Sequence, residues 1–213
     1  MPDAPNTRSI KISDDERGGW SSDRPRRGGP PRPPDLSTRC RVLSPAAQLR
    51  YSPGSLLVIV SGSPAARDAF AGRVLESPGS VLSLDKVREL LVGRGVDPAV
   101  AEERAPELLD AAVLKRLEAS ETVVVTAAGL DADERERYVR PAARLRRPRH
   151  IVLVEAPRDD VADEVRPTLN DLRRRLDAGE LGAEGFQTAL RVGGQSAAEL
   201  KRIVFRREPR DDE

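Results

Sequence analysis

The chain has 213 residues, of which 38% are apolar and 33% charged, and its net charge is +1 at pH 7. This length suits one domain with a terminal segment, and a second full domain is not expected. The single cysteine, Cys40, excludes an internal disulfide, and no apolar run approaches the roughly 20 residues that cross a bilayer. The first residues lack the basic-then-apolar pattern of a signal peptide, so we expect a cytoplasmic protein with no membrane partner.

The N-terminal segment, residues 1–47, is predicted to be a disordered tail. It combines glycine, proline and arginine with few branched apolar side chains, so it cannot bury enough surface to offset the entropy of ordering. Nine basic residues against six acidic ones give it a mild positive charge. A solvated linker is the favoured interpretation, and an arm that contacts nucleic acid is the alternative. The side chains that would make such contacts are Arg24, Arg26, Arg27 and Arg32, with Trp20 nearby.

Residues 48–213 are predicted to form one domain in which strands and helices alternate. Short apolar runs predict strands at residues 56–61, 80–83, 122–127, 150–155 and 186–192. Helical patterns fall at residues 64–75, 84–92, 98–119, 131–145 and about 159–178. The third helix is predicted to bury one face, formed by Val100, Leu108, Leu109, Ala112, Val113 and Leu117. Strands that are apolar throughout predict an α/β fold, a three-layer α/β/α sandwich with a mainly parallel, five-stranded sheet.

The first predicted strand runs into a glycine turn and a helix, in "VIVSGSPAARDAFAGRVLE" (residues 58–76). Ligands of parallel sheets usually bind at such a turn, and a working phosphate loop there reads GxxxxGK[ST]. This turn keeps Gly62 alone, and the last glycine, the lysine and the hydroxyl of that pattern are replaced by Ala66, Arg67 and Asp68. Ser63 and Pro64 instead suit the N-cap and first residue of a helix. A purely structural turn is therefore favoured over a phosphate site that uses the helix N-terminus.

Four motifs resemble the P-loop kinase domain of the polynucleotide 5′-kinase type. They are "LLVIVSGSPAARDAFA", "VLSLDKVR", "TVVVTAAG" and "DLRRRLDAGELGAEGF", in the family's order and at similar spacing within residues 55–192. The resemblance implies a P-loop NTPase-like fold, ATP with Mg²⁺ as cofactors and phosphoryl transfer to a hydroxyl group. Asp85 matches the aspartate that accepts the proton of the attacking hydroxyl, and Arg88 matches the arginine three residues later. From the residues alone, the favoured interpretation is that Asp85 begins a helix and pairs with Arg88, and with the resemblance the two interpretations stand level.

Other positions depart from the resemblance. The family's "DATN" motif is replaced by residues 126–129, "TAAG", so the third strand ends without a carboxylate for magnesium. The basic lid is replaced by the acidic residues 156–170, in which Arg158 and Arg166 are the available cations. The three arginines at 173–175 are interpreted as a solvated helix face. We expect His150 to be structural, and the sequence predicts no metal site.

These losses predict a catalytically impaired domain, since phosphoryl transfer depends on positioning and charge stabilisation. We expect weak nucleotide or anion binding at Gly62, Ser63, Ala66, Arg67 and Asp68, or a regulatory interaction with a protein partner. The alternative is an active ATP-dependent kinase for nucleic-acid 5′-hydroxyl ends or a small hydroxylated substrate, with Asp85 and Arg88 as catalytic residues. A third alternative is a filled cleft combined with a tail that recruits nucleic acid.

Overall fold

The computed structural model describes residues 35–76 and 80–206. Within these ranges the strands are β1 Arg41–Leu43, β2 Gln48–Tyr51, β3 Leu56–Ser61, β4 Val81–Ser83, β5 Val123–Thr126, β6 Arg149–Val154, β7 Thr188–Val192 and β8 Arg202–Phe205. The helices are α1 Pro64–Val74, α2 Leu84–Val92, α3 Pro98–Glu118, α4 Ala132–Arg144, α5 Arg166–Asp177 and α6 Gly194–Glu199. The tail arginines at residues 24–32 lie outside the described residues.

The main sheet is parallel throughout and has the strand order β1-β7-β6-β3-β5-β4. Its central strand β3 pairs with β5 on one side and β6 on the other. The first five residues of β3 are apolar and fully buried, as expected for a strand that is covered on both faces. The predicted α/β class and mainly parallel sheet are confirmed.

Side chains of β3 alternate between two core clusters, one on each face of the sheet. Leu56, Val58 and Val60 pack with side chains of α3, α4 and α5, whereas Leu57 and Ile59 pack with α1 and β8. The layers on the two faces differ in kind. One contains helices, and the other combines α1 with a small parallel sheet of β2 and β8.

The main sheet has one strand more than predicted. Strand β1 lies within the predicted tail, yet it pairs with β7, with Val42 opposite Ala189. The compact unit accordingly begins at Asp35 and not at residue 48. A strand of three residues is too short to show a period in the sequence, and its pairing partner lies far along the chain.

Two helices differ in detail from their predictions. Helix α5 begins at Arg166 and not near 159, because Pro167 lies in the first helical turn, where a proline is tolerated. In α3 the buried residues recur every four positions, at Ala101, Ala105, Leu109, Val113 and Leu117. Val100 and Leu108 are exposed, so their assignment to the buried face was wrong. No helix in the two described ranges is long and apolar enough to cross a membrane.

Candidate functional site

The turn after β3 is folded as the start of α1. The Ser63 hydroxyl accepts a hydrogen bond from the Ala66 N–H at 3.4 Å, and the Ser63 N–H donates to Ser61 Oγ at 3.1 Å. Pro64 is the first helical residue and has no N–H. The helix therefore begins three residues before Arg67, within the segment that aligns with a phosphate loop.

Gly62 lies against apolar side chains that follow β6. A Cβ atom added to Gly62 would lie 3.0 Å from Leu169 Cδ2 and 3.1 Å from Val161 Cγ1. These distances are tighter than ordinary van der Waals contacts, so the turn has room for a glycine and little more. Val161 and Leu169 thus cover the turn on its β6 side.

Arg67 is buried, with 3% of its side chain exposed, and its guanidinium is bound within the fold. Its Nε lies 2.8 Å from Asp68 Oδ1 and its Nη2 lies 3.1 Å from Asp68 Oδ2, which is a two-point contact. Its Nη1 donates to the carbonyl of Ala127, just after β5. Asp85 Oδ2 lies 3.8 Å from Arg67 Nη2. The positive charge therefore faces two carboxylates that belong to the protein itself.

Asp85 and Arg88 lie on α2, whose N-cap is Ser83. The Ser83 hydroxyl accepts from the Lys86 N–H at 3.2 Å, and Asp85 lies in the first turn, where a carboxylate favours the helix dipole. Arg88 Nη1 donates to Asp85 Oδ1 at 2.8 Å, and Arg88 Nη2 binds Glu102 of α3. Asp85 thus lies in the first turn of a helix and pairs with Arg88, as one of the two interpretations of the sequence predicts. The catalytic interpretation of Asp85 is the other.

The structure thus brings Arg67, Asp68, Asp85 and Arg88 together, while Gly62, Ser63 and Ala66 form the adjoining turn. Between α1, α2 and the ends of β4 and β5 lies a cavity of about 230 Å³, which we name the acidic cleft. Its lining residues are Asp68, Ala71, Gly72, Val81, Ser83, Asp85, Lys86, Glu89 and Thr126. Asp68 and Asp85 expose 53% and 58% of their side chains, so both carboxylates reach solvent and any ligand in the cleft.

Thr126 is a residue of this site that the sequence did not predict. In the sequence it stands out only because it begins the segment that replaces the family's "DATN" motif. It is the last residue of β5 and is 3% exposed. Thr126 lines the acidic cleft, and its buried hydroxyl has no hydrogen-bond partner among the described residues. The sequence signal was its position at the carboxyl end of a buried strand, where parallel sheets place functional groups.

A second cavity, of about 310 Å³, lies on the other side of β3, and we name it the basic pocket. It is lined by Ala156, Arg158, Val161, Arg166, Leu169, Asn170 and Arg173. Its apolar wall includes the two side chains that cover Gly62. All charged side chains of this lining are arginines, although Arg166 pairs with Asp163 and Arg173 pairs with Glu155.

The arginines at 173–175 do not form a uniformly solvated face. Arg174 is exposed, whereas Arg173 binds Glu155 at 2.9 Å through Nε, and Arg175 binds Glu184 at 2.6 Å. Burial of Glu155 acts to raise its pKa, but the hydrogen bonds from Arg173 and Arg191 outweigh burial and lower this pKa below its usual value. The earlier interpretation therefore fits Arg174 alone.

Within residues 35–76 and 80–206, no group of three or more His, Cys, Asp or Glu side chains is arranged to hold a metal ion. His150 lies in β6, where its Nδ1 is 2.8 Å from Thr188 Oγ1 and its ring stacks on Tyr51 with centroids 4.1 Å apart.

Comparison with known proteins assigns the fold that this geometry indicates. Residues 57–177, more than half of the chain, match the model of the AAA domain family. The chain belongs to the AAA domain family. The matched part of this AAA domain begins at the second residue of β3 and ends with α5, so it contains the turn, the acidic cleft and the basic pocket. Its fold is α/β and P-loop-like.

The chain is similar to a solved structure of a protein from Chloroflexus aurantiacus, which is described as a "putative kinase". It shares 16% sequence identity with this AAA domain at a TM-score of 0.40, over 66% of this chain and 86% of that chain. No curated protein matches the chain.

Proposed function

We propose that this AAA domain is a degenerate relative of the polynucleotide 5′-kinases, which binds a nucleotide or another anion weakly and acts as a regulatory module without transferring phosphoryl groups. The observation that carries the proposal is the two-point contact between Arg67 and Asp68, at 2.8 and 3.1 Å. Arg67 stands where the kinase lysine would reach the phosphates, and Asp68 stands where a hydroxyl would ligate magnesium.

The contact weakens both steps that a phosphate loop performs. A guanidinium that already binds a carboxylate must give up that contact before it binds phosphate. The Asp68 carboxylate also repels the phosphate, by about 1 kcal/mol at 4 Å even in water. Removing one group that stabilises transition-state charge typically costs about 10²- to 10³-fold in rate. The early start of α1 adds to this, because the N–H groups of Ser63 and Ala66 are bound to Ser61 and Ser63.

Weak anion binding is supported by the basic pocket beside Gly62. Arg158, Arg166 and Arg173 line it, and its apolar wall contacts the turn itself. Arg166 and Arg173 pair with Asp163 and Glu155, whereas Arg158 forms no ion pair among the described residues. Arginine donates several N–H groups in a plane and suits phosphate oxygens. A triphosphate that entered from the β6 side would meet Arg158 before it reached Arg67 and Asp68.

The test is a calorimetric titration of the full chain with ATP and magnesium. We expect dissociation constants near or above 1 mM, equivalent to about 4 kcal/mol or less, and weaker binding after Arg158→Gln. Arg104→Gln, which changes an exposed arginine on α3, is the matched control and should leave the affinity unchanged. Binding tighter than about 10 μM would contradict the proposal, as would affinity that Arg158→Gln leaves unchanged.

An active kinase is the second candidate, and one observation favours it. The Asp85 carboxylate is exposed in a cavity and lies 2.8 Å from Arg88 and 3.8 Å from Arg67, a setting in which it could accept a proton from a bound hydroxyl. This candidate predicts ATP-dependent phosphorylation of a 5′-hydroxyl oligonucleotide that Asp85→Asn abolishes. The proposed function predicts no phosphorylation by either protein.

A further inference from the structure

Carboxylates are the majority of the charged side chains that line the acidic cleft. Asp68, Asp85 and Glu89 line it with one lysine, Lys86, whose Nζ donates to the Val81 carbonyl at 3.2 Å. Arg67 and Arg88 bind Asp68 and Asp85 and offset part of their charge. A carboxylate nevertheless offers about four lone-pair sites, so Asp68 and Asp85 can accept further hydrogen bonds. The rim thus presents carboxylate oxygens to a hydrogen-bond donor that enters.

A buried hydroxyl group independently favours a ligand that donates a hydrogen bond in the cleft. Thr126 is 3% exposed, lines the cleft and has an Oγ1 with no partner in the described part of the chain. Buried hydroxyl groups are satisfied in most proteins, because an unmade hydrogen bond in the interior costs free energy. A ligand N–H group that reached the base of the cleft would donate to Thr126 Oγ1 while its charge faced the rim.

The walls of the cleft favour an organic cation over a metal ion. Ala71, Gly72 and Val81 supply an apolar side that an aliphatic stem can contact. A Cβ atom added to Gly72 would meet nothing within 4 Å, which shows open space on the α1 side. In the described ranges the acidic side chains of the cleft do not form a group of three that could hold a metal ion.

We propose that the acidic cleft binds a guanidinium or primary ammonium group carried on an aliphatic stem. This inference rests on the proposed function in one respect: the acidic cleft binds a ligand and does not transfer phosphoryl groups. The occupant we propose is a free small molecule that carries such a group. The electrostatic part of the affinity should fall as salt is raised, because the rim is exposed.

The probe is agmatine, which carries both cationic groups on a four-carbon stem, with 1,4-butanediol as its uncharged counterpart. Calorimetric titration of the full chain at low ionic strength should show saturable binding of agmatine and none of butanediol. Thr126→Val removes the hydroxyl at nearly constant shape and should weaken agmatine by about threefold to tenfold. Thr126→Ser should restore most of the affinity.

Gly72→Leu places a large side chain on the wall of the cleft at a position where the added Cβ atom meets nothing within 4 Å. It should abolish agmatine binding while the thermal unfolding temperature stays equal or rises, since leucine favours a helix more than glycine does. Glu103→Gln, an exposed acidic position on α3 outside the cleft, is the charge control and should bind agmatine as the parent does.

The proposal is overturned if agmatine fails to bind, or if Thr126→Val and Gly72→Leu leave its affinity unchanged. ATP titration is a separate measurement, so failure of the anion-binding proposal is distinguishable from failure of this one.

Discussion

The acidic cleft and the basic pocket lie at the same carboxyl edge of the sheet, on opposite sides of β3. Three carboxylates and one lysine line the cleft beside β4 and β5, whereas three arginines line the pocket that follows β6. The whole chain has a net charge of only +1. Overall charge therefore says little about what such an edge binds, and each side has to be examined for itself.

The boundary between the two sides is formed by the turn and by Arg67. Gly62 contacts Val161 and Leu169 of the pocket wall, while Arg67 is turned to the other side, toward Asp68 and Asp85. One buried guanidinium thus contributes its charge to the acidic side. In the proposed function, a cation at the position of the kinase lysine adds little affinity for an anion, because carboxylates of the protein already bind it.

The largest predicted effect concerns the opposite, amino-terminal edge of the sheet, which supports both sides. Burial, and secondarily the charge of Arg149, lower the pKa of His150 to about 4 from an ordinary value of 6.5. The folded state therefore binds fewer protons than the unfolded state between these values. Stability should be fully present above pH 6.5 and fall by up to about 3 kcal/mol as the pH drops to 4.

Urea unfolding at several pH values tests this, with His150→Gln as the comparison. The free energy of unfolding of the variant should depend less on pH between 6.5 and 4, because glutamine at position 150 does not titrate. If the free energy of unfolding changes equally with pH in both proteins, carboxylates and not His150 determine its pH dependence. Binding measurements on either side are best made above pH 6.5, where His150 is neutral in both states.

The next largest effect is expected when Arg67, which lies at the boundary between the two sides, is replaced. Arg67→Met keeps the length of the side chain but removes its charge and its hydrogen bonds to Asp68 and the Ala127 carbonyl. We expect a loss of about 2–3 kcal/mol in the free energy of unfolding, since hydrogen bonds to charged groups are worth about 1.5–3 kcal/mol. Arg104→Met is the matched control on an exposed position of α3 and should change stability by less than about 0.5 kcal/mol.

How much of this edge was predictable from the sequence depends on the range of the interactions. Strand β3 and helix α2 were predicted to the residue, because an apolar run and a helical pattern are local signals. The pairing of Asp85 with Arg88 followed from their three-residue spacing. The hydroxyl of Thr126, which has no partner in the part of the chain that the structure describes, and the contact between Gly62 and Leu169 depend on segments far apart in the chain. No local pattern could therefore show them.

Gly62→Ala tests how closely the basic side packs against the turn. The new methyl group would lie 3.0 Å from Leu169 Cδ2 and 3.1 Å from Val161 Cγ1, so both side chains must shift by a few tenths of an ångström. Such overpacking typically costs about 1–3 kcal/mol, and we expect about 1 kcal/mol because both neighbours are side chains that can move. Gly72→Ala, in open space on α1, should be neutral or stabilising in the same urea experiment.

Asp68→Ser gives the smallest energetic effect and the sharpest comparison, because it should change the two affinities in opposite directions. Removing the carboxylate frees Arg67 and ends the repulsion of phosphate, so ATP should bind about fivefold to tenfold more tightly, equivalent to about 1 kcal/mol. Agmatine should bind more weakly, because the cleft loses one of its three carboxylates. Glu89→Gln removes a carboxylate from the same cleft but has no contact with Arg67 among the described residues, so it should weaken agmatine and leave ATP unchanged. If Asp68→Ser strengthens neither ligand, the early start of α1 at Pro64, and not the charge of Asp68, is what keeps the turn from holding a phosphate.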